Sequence, residues 1–194
     1  MKKHILCLGD SNTHGYCADP NDCADHGIRF NEDERWTCRL QKALGDEYLV
    51  TEEGLSGRTT VFVDPIHESM DALSVIYSLL KSHEVIDLLI IMLGTNDVKE
   101  RFGANAACIA AGMERLILKA KSVDCWGTKA PNSPTFWWWH RRPSGPGSMT
   151  RSWATAVWRN PLVWPSSSAS SARARTCTSW MQRTASSTRW ISCT

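Results

Sequence analysis

The stretch GDSNTHG, residues 9–15, decides how this chain folds, and it follows the apolar run HILCL at residues 4–8. An apolar run that ends in a glycine-flanked polar turn is typical of a buried strand whose last residues reach the carboxyl edge of a sheet. Ser11 would then hold its hydroxyl beside the free backbone N–H groups of a helix start, which presents a nucleophile next to an anion-stabilising site. The alternative interpretation is that Ser11 only caps an ordinary helix.

Two more predicted strands end in polar turns of the same kind. Residues 48–50 begin a strand that runs into EEGLSGRTT at residues 52–60. The apolar run IDLLIIML at residues 86–93 ends in GTND at residues 94–97. The nearly continuous apolar character of this last run predicts burial on both faces, as in a parallel sheet.

Three helices are predicted between and after these strands, at residues 33–44, 69–82 and 104–122. Apolar residues recur at helical spacing along one face of each helix: Trp36, Leu40 and Leu44; Met70, Leu73, Ile76 and Leu79 or Leu80; Ile109, Met113, Leu116 and Leu118. The chain thus repeats strand, turn and helix three times. This repeat predicts an α/β fold in which helices cover a parallel sheet.

The three turns are expected to meet at one edge of the sheet, because ligands of such folds bind outside the carboxyl ends of the strands. They would bring together the hydroxyl of Ser11, the backbone N–H of Gly57 and the carboxamide of Asn96. A nucleophile beside two or three N–H donors is the equipment for stabilising a tetrahedral oxyanion. The residues alone therefore predict a site in which the Ser11 hydroxyl acts as a nucleophile beside N–H donors that stabilise an oxyanion.

Acidic residues in two places raise the alternative of a metal site. Asp10 and Asp97 flank the key residues, but other ligands at suitable spacing are missing, so we expect them to bind N–H groups of the turns. Residues 16–32, rich in Asp, Asn, Pro and Gly, are predicted to form a loop, and their acidic residues match no calcium-loop template. We therefore expect neither a metal nor a cofactor.

The composition changes sharply near residue 130. Residues 1–130 carry 14 basic and 20 acidic side chains, a net charge of −6, whereas residues 131–194 carry eight Arg and no acidic residue, a net charge of +8. Residues 131–194 also hold eight of the ten Trp and almost no Ile, Leu or Val. We therefore predict an α/β domain at residues 1–130 and a separate, poorly packed segment at residues 131–194.

Several features favour a cytoplasmic protein. Lys2 and Lys3 precede too few apolar residues for the core of a signal peptide. No stretch approaches the ~18 apolar residues that cross a bilayer. The eight Cys show no metal-ligand spacing, so we expect reduced thiols, with Cys7 and Cys108 in the core.

Together, the three turns resemble the motif blocks of the SGNH, or GDSL, hydrolase family. GDSNTHG at residues 9–15 matches the family's first block, SGRTT at residues 56–60 the second, and GTND at residues 94–97 the third. The context, which includes RWT at residues 35–37, is similar to the arylesterase and acyltransferase branch. The resemblance covers roughly residues 3–130.

The resemblance implies a flavodoxin-like, three-layer α/β/α fold and an esterase that cleaves short-chain aryl esters through an acyl-enzyme. Ser11 would be the nucleophile, and the N–H groups of Ser11 and Gly57 with the side chain of Asn96 would form the oxyanion hole. The implied partner is a small-molecule ester, with no nucleic acid or membrane, while a homo-oligomer is left open. A carbohydrate acetylesterase or a thioesterase also stays open, because variable loops form the pocket walls of this family.

The family's fourth block, Asp-x-x-His, supplies the orienting carboxylate and the general base, and the printed sequence lacks it. No acidic residue follows Asp124, and the only later histidine is His140. We expect His14 in the pocket wall and His67 and His83 at the surface, so none of these histidines is predicted to be the base. The chain as printed is therefore expected to be an impaired enzyme.

A one-base frame error near residues 129–136 would explain the missing block. Trp and Met each have a single codon, so reading the last base of one codon with the first two of the next determines several residues. Residues 137–140 become Leu-Val-Val-Ala, a fourth buried strand. Residues 191–194 acquire Asp at the first position and His or Tyr at the last. We therefore interpret residues 131–194 as frame-shifted.

In the printed frame, the third strand is expected to lose the partner on its outer edge. Most of residues 135–194 are expected to be irregular, although Trp tolerates a strand at residues 137–139. The alternative function is non-catalytic: a truncated α/β domain with a basic, Trp- and Arg-rich tail that binds nucleic acid or an anionic membrane.

Overall fold

A four-stranded parallel sheet forms the centre of the computed structural model, which describes residues 1–127 in full and residues 135–139 through their backbone. The strands are β1 (Lys3–Gly9), β2 (Tyr48–Gly54), β3 (Leu88–Met92) and β4 (Thr135–Trp139). Their order across the sheet is β2-β1-β3-β4, and every neighbouring pair is parallel. The predicted α/β class with a parallel sheet is confirmed.

Four helices follow the strands: α1 (Ser11–His14), α2 (Trp36–Leu44), α3 (Ala72–Ser82) and α4 (Ala106–Lys121). Short 3-10 turns lie at Pro20–Asp22 and Glu100–Phe102. Helix α3 begins three residues later than predicted because the carboxylate of Asp71 caps it, accepting from the backbone N–H of Ser74 at 2.8 Å. None of the helices within residues 1–127 has the length and apolar character needed to cross a membrane.

The sheet separates two apolar cores. On one face, Leu6 and Leu8 of β1 pack with α3 and α4. On the other face, Ile5 and Cys7 of β1 pack with Leu40 of α2. Burying each large aliphatic side chain contributes about 1.5–3 kcal/mol, so these two layers hold the three-layer α/β/α arrangement together and keep the strand ends in register.

The buried face of α4 differs from the prediction at two positions. Ile109, Met113 and Leu116 are buried as predicted, but Leu118 is 59% exposed. Cys108, expected in the core, is also exposed. The reason is helical geometry: each residue turns about 100° around the axis, and neither residue lies on the stripe defined by the three buried ones. Cys7, in contrast, is buried as predicted.

The outer edge of β3 is paired, by a strand that includes the residues 137–139 at which the sequence allowed one; the expected loss of the natural partner does not leave this edge open. Strand β4 lies beside it in parallel, with Ile90 opposite Trp137 and Met92 opposite Trp139. A parallel ladder is made by backbone groups, and Trp is tolerated in strands, so the pairing does not need the aliphatic side chains expected at this edge. The other parts of residues 131–194, including the predicted irregular segment, lie outside the described residues.

Candidate active site

The loops that follow β1 and β2 are joined at the carboxyl edge of the sheet. The first loop comprises residues 9–15 and the second loop residues 55–60. The backbone N–H of Leu55 donates to the carbonyl of Gly9 at 3.1 Å. The Arg58 guanidinium donates to the same carbonyl at 3.3 Å. Two independent hydrogen bonds therefore hold the second loop against the residue that lies two positions before Ser11.

The loop that follows β3, residues 94–97 (the third loop), is joined to the second. The side-chain N–H of Asn96 donates to the carbonyl of Arg58 at 3.0 Å. The carboxylate of Asp97 accepts from the backbone N–H of Thr60 at 3.0 Å and from its hydroxyl. Asn96 and Asp97 are both buried. The predicted site residues Ser11, Gly57 and Asn96 thus lie on three loops that a continuous set of hydrogen bonds connects.

Ser11 is the first residue of α1 and is half-buried. Asp10 caps this helix: its carboxylate accepts from the backbone N–H of Asn12 at 2.9 Å and from its side-chain amide at 2.8 Å. Burial raises the pKa of Asp10, with repulsion from Asp97 adding to the shift and the hydrogen bonds from Asn12 opposing it.

Asp10 and Asp97 bind backbone N–H groups of the loops, as predicted. Within residues 1–127, no cluster of three or more His, Cys, Asp or Glu side chains is arranged to hold a metal ion. Their carboxylates therefore act in the described structure as hydrogen-bond acceptors that shape the turns.

Two glycines allow α1 to pack directly on the strand ends. A Cβ at Gly9 would lie 1.9 Å from the hydroxyl oxygen of Thr13. A Cβ at Gly54 would lie 2.1 Å from the backbone nitrogen of His14. Since real Cβ atoms do not approach backbone atoms so closely, both positions require glycine. They set the depth at which the helix that carries Ser11 lies against β1 and β2.

Gly57 has a positive φ of 90°, a conformation that side-chain-bearing residues rarely adopt. A Cβ there would also lie 2.8 Å from the terminal carbon of Met70. Glycine at this position therefore permits the turn of the second loop. Because the half-buried Gly57 has no side chain, its backbone N–H is not shielded by one.

Arg58 is a functional candidate to which the sequence analysis assigned no role. It is only 6% exposed; burial lowers the pKa of its guanidinium, while the charges of Glu53 and Asp10 oppose this shift. Its side chain reaches the first loop and its carbonyl binds Asn96 of the third. Its place directly after Gly57 in the SGRTT motif was the signal in the sequence. The contact of its side chain with Gly9, 49 residues earlier, could not be predicted from the sequence.

The motif residues Arg35 and Thr37 meet Glu52 on the α2 face of the sheet. The carboxylate of Glu52 accepts from the guanidinium of Arg35 at 3.1 Å and from the hydroxyl of Thr37. Arg29 lies 3.6 Å from its second oxygen. Burial works to raise the pKa of Glu52, but the hydrogen bonds from Thr37 and Arg35 outweigh it and lower the pKa. This cluster fastens residues 29–37 beside the end of β2.

The histidines considered as general bases have other partners in the structure. His67 is exposed, as predicted, and lies 3.8 Å from Asp64. His83, predicted at the surface, is instead half-buried because its ring bonds Glu53 at 2.7 Å and packs edge-on against the ring of His4. His14 is half-buried at the end of α1. His140 and residues 191–194, where the proposed shifted frame would give Asp at the first position and His or Tyr at the last, lie outside the described residues.

Comparison with known proteins identifies the family. Residues 7–191 match the GDSL-like lipase/acylhydrolase family, a range that extends past residue 130, where the resemblance was expected to end. No curated protein matches the chain significantly. The native aryl esterase of M. smegmatis is similar in structure, with 40% identity and a TM-score of 0.59, covering 69% of this chain and 61% of that one.

A second similar structure is Est24, a carbohydrate acetylesterase from Sinorhizobium meliloti. It shows 36% identity and a TM-score of 0.61, covering 70% of this chain and 62% of that one. The chain thus spans about three-fifths of the length of the solved structures it matches. With the family match over nearly all of the sequence and the three motif loops joined at one edge of the sheet, the chain belongs to the GDSL-like lipase/acylhydrolase family.

Proposed function

We propose that this chain is a serine acyl hydrolase in which Ser11 attacks the carbonyl of a small-molecule ester. The observation that carries the proposal is the hydrogen-bonded connection of the three loops through Arg58. It supports a common location for the hydroxyl of Ser11, the N–H of Gly57 and the amide of Asn96. A nucleophile beside preorganised N–H donors suits acyl transfer, because negative charge develops on the carbonyl oxygen in the transition state.

In the proposed mechanism, the Ser11 oxygen bonds to the ester carbon and loses its proton to a base, while the carbonyl oxygen becomes negatively charged. The backbone N–H groups of Ser11 and Gly57 would donate to this oxygen. One N–H of the Asn96 amide is held by Arg58 at 3.0 Å, which orients the group so that its second N–H completes the set. The alcohol then leaves, and water or another alcohol releases the acyl group.

The mechanism also needs a general base and a carboxylate that orients it. The described residues do not contain the Asp-x-x-His block that supplies both in this family. We propose that both belong to residues 191–194 in the shifted frame, where the codons determine an aspartate at position 191 and position 194, which the codons allow as His or Tyr, is a histidine. The restored histidine would take the proton of Ser11, and the aspartate would hold that histidine in the required orientation. The printed chain then keeps the nucleophile and the oxyanion donors but turns over slowly.

The substrate proposed is a short-chain ester of an aryl alcohol, with an acetylated carbohydrate as the second candidate. The support is that one of the two similar structures is an aryl esterase and the other is a carbohydrate acetylesterase. A panel of acetyl, butyryl and longer 4-nitrophenyl esters beside an acetylated sugar distinguishes these classes by their kcat/KM values.

The experiment that tests the nucleophile is Ser11→Ala in the frame-restored chain, with 4-nitrophenyl acetate as substrate. Loss of nearly all hydrolysis is expected, because the acyl-enzyme cannot form. Ser78→Ala is the matched control: it removes the same hydroxyl from an exposed position of α3 and should leave the rate unchanged. Turnover by the Ser11→Ala variant at the rate of the control would exclude Ser11 as the nucleophile.

A further inference from the structure

Two buried cysteines lie in the segment that connects α1 to α2. Cys17 and Cys23 are each only 2% exposed and belong to residues 16–34, called here the cysteine loop. This loop contains little regular structure, apart from the 3-10 turn at Pro20–Asp22. It starts directly after the helix that carries Ser11, so its conformation bears on one wall of the candidate active site.

Cys17 and Cys23 bond to neighbouring residues on the far side of the cysteine loop. The N–H of Cys17 donates to the carbonyl of Ile28 at 2.9 Å, and the thiol of Cys23 reaches the carbonyl of the next residue, Arg29, at 3.4 Å. Tyr16 pairs with Arg29 in an antiparallel bridge. Cys17 and Cys23 therefore both bond to one short segment, residues 28 and 29, and the proximity of Cys23 contributes to the raised pKa of the Cys17 thiol.

The other cysteines of residues 1–127 have different surroundings. Cys7 and Cys125 are buried in the two cores, on opposite faces of the sheet. Cys38 lies on α2 against Glu52, and Cys108 is exposed at the start of α4. None of these four residues lies on the cysteine loop. A disulfide requires Cα atoms about 4.4–6.8 Å apart and a specific torsion. Two cysteines on one irregular loop, both hydrogen-bonded to residues 28 and 29, can reach this geometry with the smallest backbone adjustment.

We propose that Cys17 and Cys23 are a redox modification site that forms a reversible intramolecular disulfide. The oxidant is a small disulfide of the glutathione class. One cysteine thiolate attacks it, forming a mixed disulfide and releasing one reduced thiol. The second cysteine then attacks the mixed disulfide and releases the other thiol. Two protein thiols are oxidised to one disulfide, the small disulfide is reduced to two thiols, and each protein thiol gives up one proton.

The disulfide would fasten the cysteine loop next to the candidate nucleophile. Phe30 donates its N–H to the carbonyl of Gly15 at 2.7 Å, and the guanidinium of Arg29 donates to the carbonyl of His14 at 2.8 Å. These bonds join the far side of the loop to the end of α1. A cross-link between Cys17 and Cys23 closes the near side, so the oxidised loop has fewer ways to open away from the site.

Burial raises the pKa of Cys17, and the neighbouring Cys23 and Asp22 add to the shift. The thiolate is the attacking species in disulfide exchange, so this thiol resists oxidation while the loop is closed. Exchange is expected to proceed through opening of the loop, and the pair is expected to oxidise more slowly than exposed Cys108 acquires a glutathione.

The test incubates the full chain, as printed, with oxidised glutathione, blocks the remaining thiols and cleaves the protein at aspartate. Asp19 and Asp22 lie between the two cysteines, so the fragments separate unless a disulfide joins them. A Cys17–Cys23 cross-link that dithiothreitol reverses is the expected result. Free thiols, separate glutathione adducts on both cysteines, or a cross-link of either one to another cysteine would each overturn the proposal.

Single variants provide the controls. Cys17→Ser keeps a hydroxyl that can donate to the carbonyl of Asp19, the present acceptor of the Cys17 thiol at 3.0 Å. It should leave the thermal midpoint of the reduced protein nearly unchanged and abolish the cross-link. Cys108→Ser should leave the cross-link intact.

Limited trypsin digestion of the native protein gives a second readout. Cleavage after the exposed Arg29 is expected to slow several-fold on oxidation in the parent and not in Cys17→Ser. Equal slowing in both proteins would show that the cross-link does not fasten the loop. Neither readout depends on esterase activity, so the failure of this proposal and of the proposed function are distinguishable.

Discussion

Residues 1–130 and residues 131–194 differ in what each brings to the proposed chemistry. The first region is acidic, carries the three motif loops, and joins them by hydrogen bonds around Arg58. The second region is basic, rich in Trp, and lacks in its printed frame the Asp-x-x-His expected of the family. In the proposed mechanism, the loops of residues 1–130 would bind the transition state, and the Asp-x-x-His of residues 131–194 would move the proton. Because the two sets of groups lie in different regions of the chain, the first can be complete while the second is missing.

Restoring the reading frame should produce the largest change. The frame-restored chain is expected to hydrolyse 4-nitrophenyl acetate about 10⁴–10⁶-fold faster than the printed chain, because losing the aspartate or the histidine of a triad costs on this order. Initial rates of the two purified proteins at equal concentration provide the measurement. Resequencing the coding DNA across codons 129–136 is the companion experiment. An unambiguous read of the printed frame, with full activity of the printed chain, would contradict the prediction.

Asn96→Ala should produce the next largest effect, in the frame-restored chain. Loss of one oxyanion donor is expected to lower kcat by about 10²–10³-fold with little change in KM, since the lost bond strengthens only in the transition state. Asn21→Ala, which deletes an exposed amide on the cysteine loop, outside the three motif loops, is the control. A rise in KM at unchanged kcat would assign Asn96 to substrate binding instead.

Gly54→Ala tests the first region alone and needs no activity. The new Cβ would lie 2.1 Å from the backbone nitrogen of His14, so α1 must move away from β2. Such overpacking is expected to lower the free energy of unfolding by about 1–3 kcal/mol, measured by urea denaturation of the printed chain. Gly27→Ala is the matched control, because a Cβ there meets only ordinary contacts. Equal stability of the two variants would rule out the tight packing of α1.

Glu52→Gln should have the smallest effect, and its size should depend on pH. The pKa of Glu52 is lower in the folded protein than in the unfolded chain, so its carboxylate stabilises the fold at pH values above the unfolded pKa. That contribution is lost as the pH falls through the folded pKa. The variant is expected to lose about 1 kcal/mol near neutral pH and to approach the parent in acid. Glu47→Gln, at an exposed position, should show no such dependence.

Sequence patterns could predict the strands and the loops better than the contacts between them. The apolar run at residues 86–93 and the glycine-flanked turns have local signatures, and the structure confirms the parallel sheet they imply. The burial of Arg58 and the pairing of His83 with Glu53 depend on residues that are distant in the sequence. The cap at Asp71, in contrast, is a local contact with Ser74 that sets the first residue of α3. The inward position predicted for Leu118 was wrong because this residue lies about 180° around α4 from Ile109, so helical spacing itself places it on the exposed side.

Arg58 makes the candidate site a cooperative unit. A single residue ties the first loop through its guanidinium and the third through its carbonyl, so releasing one loop removes a support from both others. Local opening should then expose all three at once rather than one at a time. Amide hydrogens of Leu55 and Thr60, bonded to different loops, would exchange with solvent at a common opening free energy. The proposed nucleophile and oxyanion donors would then come into alignment together whenever the domain folds.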